Sequence, residues 1–180
     1  MTQIVIVEDR LKNALRIAEQ LQKWLVEEQK SSLELKKILL FNPSEEKVEK
    51  EKRENSELIN RLELVVEPVC LWNFNEKLDE YMNDAANITF YVMDFLLEED
   101  GSGGIPEYRV NIRYARRQTE DKKKRLFFYT LTGTENYNLL CGLVGSDQVL
   151  PSKYEKMKLP CLDLQKANNF RIAIQEVTSI

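Results

Sequence analysis

The chain has 180 residues, 43% of them hydrophobic, and a formal net charge of −4, so it can bury a core without disulfides or a structural metal. Its acidic balance argues against nucleic acid as a partner, and no apolar run reaches the ~20 residues that span a membrane. The absence of histidine and the wide spacing of three cysteines argue against zinc and histidine-based catalysis. We expect a single cytoplasmic domain over residues 1–180 whose chemistry uses carboxylates, lysine, hydroxyls or a bound metal.

Apolar runs alternate with helical patterns along the chain, which predicts an α/β fold with a parallel sheet. Strands are expected at the apolar runs of residues 3–7, 62–70, 88–95, 126–131 and 148–150. Helices are expected where apolar residues recur at helical spacing, at residues 11–28, 75–86, 108–118, 134–143 and 165–177. These elements predict a doubly wound, five-stranded sheet with the strand order 2-1-3-4-5.

Residues 31–61 do not follow this alternation. Residues 36–41 could form a strand, Asn42 and Pro43 are a turn signal, and Ser44 is placed to cap a mostly charged helix at residues 45–61. We interpret residues 31–61 as an inserted charged segment, a solvated helical or hairpin excursion before the second strand. The alternative is an appendage that binds a partner.

Three acids lie where predicted strands end: Glu8 and Asp9 after the first, and Asp94 in the third. In an open parallel sheet, ligands bind outside the carboxyl ends of the strands, near the point where strand order reverses. With the order 2-1-3-4-5, the first and third strands are neighbours and the three carboxylates share one crevice. Close carboxylates repel one another, and a hard cation with oxygen ligands relieves that repulsion. The sequence therefore predicts Mg²⁺ bound by Glu8, Asp9 and Asp94.

Two further polar residues follow later strands of the predicted sheet. Thr132 comes after the fourth strand and Lys153 after the fifth. A hydroxyl and an ammonium that face a carboxylate and a metal make a site that accepts a phosphoryl group. Plainer roles are also open, since Glu8 and Asp9 suit the start of the first helix and Thr132 can cap the helix that follows it.

This ordered set of residues resembles the receiver domains of two-component response regulators. The resemblance depends on "IVIVEDR", "VMDFLLEEDGSGG", "LTG" and "GSDQVLPSK", and it covers nearly the whole chain except residues 31–61. It implies a receiver-like, flavodoxin-like fold with Glu8 and Asp9 as metal-binding acids, and with Asp94 as the phosphorylated aspartate. Thr132 would be the switch hydroxyl and Lys153 the phosphate partner.

The resemblance also implies partners and a function. Mg²⁺ would support phosphoryl transfer to Asp94 from a histidine kinase or a phosphotransfer protein, and phosphorylation would switch binding to a downstream protein. Enzymatic activity would be at most self-phosphorylation from a phosphodonor and hydrolysis of the aspartyl phosphate. No nucleic acid or membrane partner is expected for this domain.

The chain departs from the family pattern at two positions. Tyr154 follows Lys153 where the family usually has proline, and the fifth strand offers Val149 and Leu150 in place of an aromatic residue. These departures favour the alternative of a receiver-like interaction module that is not phosphorylated, whereas the complete set of acids, hydroxyl and lysine favours the switch. A metal-dependent phosphohydrolase ranks last, because Leu96 occupies the position where such an enzyme usually has a second acid.

Overall fold

The computed structural model describes residues 1–28, 30, 32–41, 44–97, 109–130, 133–154 and 160–178, without the side chains of residues 133, 134, 153, 154 and 160. Its strands are β1 (Thr2–Glu8), β2 (Leu33–Phe41), β3 (Val65–Val69), β4 (Ile88–Asp94), β5 (Leu126–Tyr129), β6 (Ser152–Tyr154) and β7 (Pro160–Leu162). Its α-helices are α1 (Leu11–Glu27), α2 (Glu45–Glu54), α3 (Ser56–Arg61), α4 (Phe74–Met82), α5 (Val110–Arg117), α6 (Glu120–Lys123), α7 (Gly133–Val144) and α8 (Asn168–Thr178).

The main sheet has five strands in the order β3-β2-β1-β4-β5, and every neighbouring pair is parallel. This confirms the predicted α/β class and the five-stranded parallel sheet. The predicted strand order is wrong, because the observed order is 3-2-1-4-5 and not 2-1-3-4-5. The predicted contact between the first strand and the strand that ends in Asp94 does form, since β1 pairs with β4.

The difference in strand order arises from β2. Its residues Ile38 to Phe41 are buried, and the strand pairs with β1 on one side and β3 on the other. The interpretation of residues 31–61 as an excursion from the sheet is therefore wrong for Leu33–Phe41. A strand at residues 36–41 was considered, but its place inside the sheet was not predicted, because charged residues flank its short apolar run.

The predicted last strand of the sheet is also different in the structure. Of residues 148–150, Val149 forms one parallel bridge with Phe128, and the amide of Leu150 donates to the carbonyl of Phe128 at 2.7 Å. The chain then continues into an antiparallel pair of short strands, β6 and β7. This pair was not predicted, because three-residue strands have too little sequence for a period to appear.

Helices cover both faces of the sheet. On one face, apolar side chains of α1 and α8 pack against β1, β2, β4 and β5 in a cluster that includes Trp24 and Phe170. On the other face, α4, α5 and α7 pack in a second cluster that includes Phe74 and Tyr114. Within the described part of the chain, no helix combines the length and the apolar character needed to cross a membrane.

The charged helices α2 and α3 pack against the same face as α1. Val48 is buried in that cluster, with Leu58 and Ile59 packed against it. The Ser44 hydroxyl accepts from the amide of Lys47 at 3.3 Å, which confirms the predicted N-cap. These few apolar side chains hold the mostly charged helices α2 and α3 against the rest of the domain.

Candidate metal site

Glu8, Asp9 and Asp94 lie together at the carboxyl edge of the sheet. Glu8 ends β1, Asp94 ends β4, and these two strands are parallel neighbours. One carboxylate oxygen from each of the three acids lies within 4.8 Å of the others. The structure therefore brings together the three residues that the sequence predicted as metal ligands, and we call them the acid cluster.

Glu8 is held firmly within the acid cluster. Its side chain is 0% exposed, and its Oε1 accepts from the backbone amides of Asp9 at 3.1 Å and Arg10 at 3.3 Å. Its Oε2 accepts from the hydroxyl of Tyr129, which ends β5, the strand on the far side of β4 from β1. Tyr129 therefore orients the carboxylate, and no local motif in the sequence indicated this contact, because the two residues are far apart along the chain.

Asp94 is held by contacts with the segment that follows it and with helix α5. The residue is 4% exposed, and its Oδ1 accepts from the amide of Leu96 at 3.1 Å. The side-chain amide of Asn111 donates to the backbone carbonyls of Asp94 at 2.7 Å and of Phe95 at 3.2 Å. Asn111 is fully buried, and it joins the start of α5 to the end of β4. Asn111 was not predicted as a site residue, although a polar residue within an apolar helical face is a signal of such a role.

The electrostatics of the acid cluster favour bound protons in the absence of a cation. Burial, followed by the negative charge of Asp9, raises the pKa of Asp94 to about 7. Burial also raises the pKa of Glu8 well above its ordinary value, with the charge of Asp94 as the next cause. A divalent cation would reverse this preference, because it stabilises the ionised carboxylates that coordinate it.

The donor set fits a hard divalent cation. All three side chains offer carboxylate oxygens, which Mg²⁺ and Ca²⁺ prefer over the nitrogen and sulfur ligands typical of zinc. The cluster also lies at a position where parallel sheets bind ligands. Mg²⁺ commonly uses one or two carboxylates and completes its shell with water or phosphate oxygens, so a phosphate-bearing ligand is compatible with this set.

A further acid, Glu51 from helix α2, contacts the start of α1, directly after the acids at the end of β1. Glu51 in α2 accepts from the backbone amide of Leu11, the first residue of α1, at 3.2 Å. A carboxylate at a helix N-terminus satisfies a free amide and suits the helix dipole. The sequence analysis did not place Glu51 near the site, because this contact joins residues 40 positions apart.

The structure describes only part of the predicted hydroxyl and lysine, Thr132 and Lys153. Thr132 lies outside the described residues, and the structure describes the backbone of Lys153 in β6 but not its side chain. Thr130, directly after β5, is 3% exposed, and its buried Oγ1 has no hydrogen-bond partner within the described part of the protein. Its carbonyl accepts from the Ser152 hydroxyl at 2.9 Å. The roles of Thr132 and Lys153 therefore stay predictions, and Thr130 is a second hydroxyl near the end of the strand beside β4.

Comparisons of the chain with models of protein families, with curated proteins and with solved structures gave no match. What the protein does must therefore be inferred from its own residues and their geometry. The acid cluster is the group in the described residues whose oxygens have the spacing of a metal site.

Proposed function

We propose that this chain is a phosphoacceptor receiver domain of a two-component or phosphorelay system. Mg²⁺ would support transfer of a phosphoryl group to Asp94, and the phosphorylated form would change its binding to a protein partner. The observation that carries this proposal is the convergence of Glu8, Asp9 and Asp94, with one oxygen of each within 4.8 Å of the others. A buried aspartate beside two further acids at the ligand-binding edge of a parallel sheet is an arrangement suited to metal-assisted phosphoryl transfer.

The arrangement of the strands supports the same proposal. If β3 is set aside, the row of strands is β2-β1-β4-β5, and Val149 bridges to Phe128 on the far side of β5. Without β3, the strands β1, β2, β4 and β5 and the segment at Val149 are numbered 1 to 5 in chain order. Their order across the sheet is then 2-1-3-4-5, which is the order that the resemblance implies. Helices α2 and α3 and strand β3 would then be an addition that precedes α4.

The proposed reaction is a nucleophilic displacement at phosphorus. A carboxylate oxygen of Asp94 forms the new P–O bond, while the bond from phosphorus to the donor's leaving group breaks and that group leaves with the electron pair. When bound, Mg²⁺ would supply neutralisation of the charge on the transferring oxygens. Glu8 and Asp9 would hold the metal, and the Leu96 amide orients the Asp94 carboxyl through its 3.1 Å hydrogen bond.

Thr132 and Lys153 keep their proposed roles as the switch hydroxyl and the phosphate partner. Thr130 is a second candidate for the hydroxyl, because a buried and unsatisfied Oγ1 in the described structure is available for a hydrogen bond with a ligand. The phosphoryl donor would be a histidine kinase or a phosphotransfer protein. Small donors such as acetyl phosphate offer the same chemistry without a protein partner.

Incubation with Mg²⁺ and acetyl phosphate tests the proposal, with intact mass as the measurement. We expect the wild type to gain one phosphoryl group that is labile to base, and Asp94→Asn to gain none, because an amide keeps the size of the side chain but is not a nucleophile. Asp121→Asn is the matched control, since Asp121 lies on the exposed surface of α6.

Two results would contradict the proposal. Modification of Asp94→Asn would show that the phosphoryl group is attached elsewhere. A wild type that accepts no phosphoryl group from any donor and binds no beryllofluoride would leave the alternative, a receiver-like interaction module that is not phosphorylated.

A further inference from the structure

A cavity of about 300 Å³ opens between helices α5, α6 and α7, on the face of the sheet that carries Phe74 and Tyr114. It lies near the amino end of β5, whereas the acid cluster lies at the carboxyl edge of the sheet. Ligand cavities in proteins usually have volumes of about 300–1,000 Å³, so this cavity has the size of a site for a small ligand. At about 30 Å³ for each water-sized group, it has room for about ten non-hydrogen atoms.

The floor of the cavity is apolar. Leu126 and Phe128 line it from β5, and they are 1% and 0% exposed. Leu143 and Val144, at the end of α7, also line it and are half-buried. An apolar group in contact with these side chains would leave water, which is favourable for binding.

The rim of the cavity is basic. Arg116, Lys123 and Lys124 line it together with one acid, Glu120. The charge of Glu120 is paired with that of Lys123, at 2.9 Å. The side chains of Arg116 and Lys124 are exposed, and neither forms an ion pair with another residue in the described part of the chain. The cavity therefore combines an apolar floor with two cations that can accept an anion.

These cations belong to a basic run within an acidic chain. Residues 116–125 contain six basic residues and two acids, whereas the whole chain has a formal net charge of −4. Basic residues in the last turn of a helix suit the helix dipole, and this plainer role accounts for Arg117 at the end of α5. The dipole does not account for an apolar cavity beside the cations. An apolar cavity with a few charged groups at its edge is typical of a ligand site.

We propose that this cavity binds a small organic anion, with its apolar body against Leu126 and Phe128 and its carboxylate or phosphate head held by Arg116 and Lys124. The guanidinium fork of arginine matches the oxygens of either head, and the lysine adds a compact positive charge. The volume limits the body to about eight carbons. This inference does not rest on the acid cluster or on phosphoryl transfer.

Titrations of the isotope-labelled full chain test the proposal, with backbone amide chemical shifts as the measurement. Octanoate and hexyl phosphate carry the two heads on an apolar body, 1-octanol lacks the charge, and inorganic phosphate lacks the body. We expect the charged probe with the preferred head to bind with a Kd of about 0.1–1 mM and to shift the amides of β5 and of the end of α7. The probes 1-octanol and inorganic phosphate should each bind at least about tenfold more weakly, because each lacks one of the two sets of contacts.

Two double variants test the rim at the same change in net charge. Arg116→Gln with Lys124→Gln removes the two cations that line the cavity, and it should weaken binding of the charged probe about tenfold. Arg117→Gln with Lys122→Gln removes two cations of the same basic run that do not line the cavity, and it should change this affinity by less than about twofold. Binding of 1-octanol should be the same in both double variants.

Three results would refute the inference. Equal losses of affinity in the two double variants would show that the basic run attracts anions without a defined site. Inorganic phosphate that binds as tightly as the charged probes would show that the apolar floor contributes nothing. An absence of shifts in β5 with octanoate and with hexyl phosphate, at about ten times the expected Kd, would show that the cavity takes no such ligand. Phosphorylation of Asp94 is measured separately, so either proposal can fail while the other stands.

Discussion

Two groups of charged side chains in this protein are partly or fully withdrawn from water. The pKa values of Glu8 and Asp94 are raised in the first group, whereas the pKa of Glu67 is lowered in the second. The first group is the acid cluster at the carboxyl edge of the sheet. The second, which we call the lysine–glutamate network, lies on β2, β3 and α4 and consists of Lys37, Glu67, Lys77 and Tyr81.

The lysine–glutamate network is internally complete. Lys37 donates to Glu67 Oε1 and to the Tyr81 hydroxyl, each at 2.6 Å, and Tyr81 donates to Glu67 Oε2 at 2.6 Å. Lys77 contacts the same Oε2 at 3.0 Å. Burial raises the pKa of Glu67, but the hydrogen bonds from Lys37 and Tyr81 outweigh it and bring that pKa down to about 2.

The acid cluster experiences the same desolvation with much less compensation. The pKa of Asp94 rises to about 7 from an ordinary value of 3.8, because burial raises it, Asp9 adds repulsion, and the hydrogen bond from the Leu96 amide offsets only part of the rise. Burial does not by itself determine whether a carboxylate is ionised. The partners decide it: the lysine–glutamate network has its cations within the protein, whereas we propose that the acid cluster acquires its cation from solution.

The largest difference in stability is expected for Asp94→Asn in the presence of a chelator. Asp94 is ionised in the unfolded chain above its ordinary pKa of 3.8 but keeps its proton in the folded protein until about pH 7. Its contribution to wild-type stability is therefore fully present below pH 3.8 and is lost as the pH rises through 7. The neutral amide does not incur this loss, so we expect the free energy of unfolding of Asp94→Asn to exceed that of the wild type by roughly 4 kcal/mol at about pH 8.

Urea unfolding of both proteins at about pH 4 and about pH 8 measures this difference. The gain should almost vanish at the lower pH, where both side chains are neutral in the folded state. Asp121→Asn, on the surface of α6, should change the stability little at either pH. An equal gain in the free energy of unfolding at both pH values would mean that removal of a buried charge is not its cause.

A smaller effect of opposite sign is expected for Glu67→Gln in the lysine–glutamate network. The change leaves Lys37 and Lys77 without their counter-charge, and we expect a loss of about 1–2 kcal/mol near neutral pH, allowing for solvent screening because Glu67 is 26% exposed. The pKa of Glu67 is lowered from 4.5 to about 2. Its stabilising effect is therefore present above pH 4.5 and is lost as the pH falls through 2.

Urea titrations of Glu67→Gln across this acidic range measure the effect. The variant and the wild type should converge in stability as the pH falls. Glu57→Gln, at an exposed position of α3, is the matched control and should be nearly neutral. An unchanged stability in Glu67→Gln at neutral pH would show that the contacts of the network contribute no net free energy to folding.

The smallest expected effect is the stabilisation of the wild type by added Mg²⁺. A ligand at ten times its dissociation constant raises the free energy of unfolding by about 1.4 kcal/mol. Asp9→Ala should abolish this increment, whereas Glu67→Gln should keep it, because Glu67 belongs to the network that needs no metal. The measurement is urea unfolding with and without Mg²⁺ at matched ionic strength. An increment that survives in Asp9→Ala would remove Asp9 from the metal site.

Part of the fold and of the acid cluster could be predicted from local patterns. The runs that became β1, β4 and β5 are buried and apolar, and the period of α1 is helical over its whole length. The acids at the ends of β1 and β4 were placed correctly because parallel strands present their carboxyl ends at one edge. The buried hydroxyl of Thr130 was not predicted, since it belongs to no motif and its burial depends on the residues that surround it.

The α/β class, the parallel sheet and the meeting of Glu8, Asp9 and Asp94 follow from local patterns, because the apolar residues of each segment show whether it is buried and which period it has. Three features depend on the fold as a whole: β2 lies inside the sheet, Tyr129 binds Glu8, and Asn111 fixes the end of β4. Each of these is a contact between segments distant along the chain. Such contacts are selected by the packing of the whole domain and leave no periodic signal in either segment.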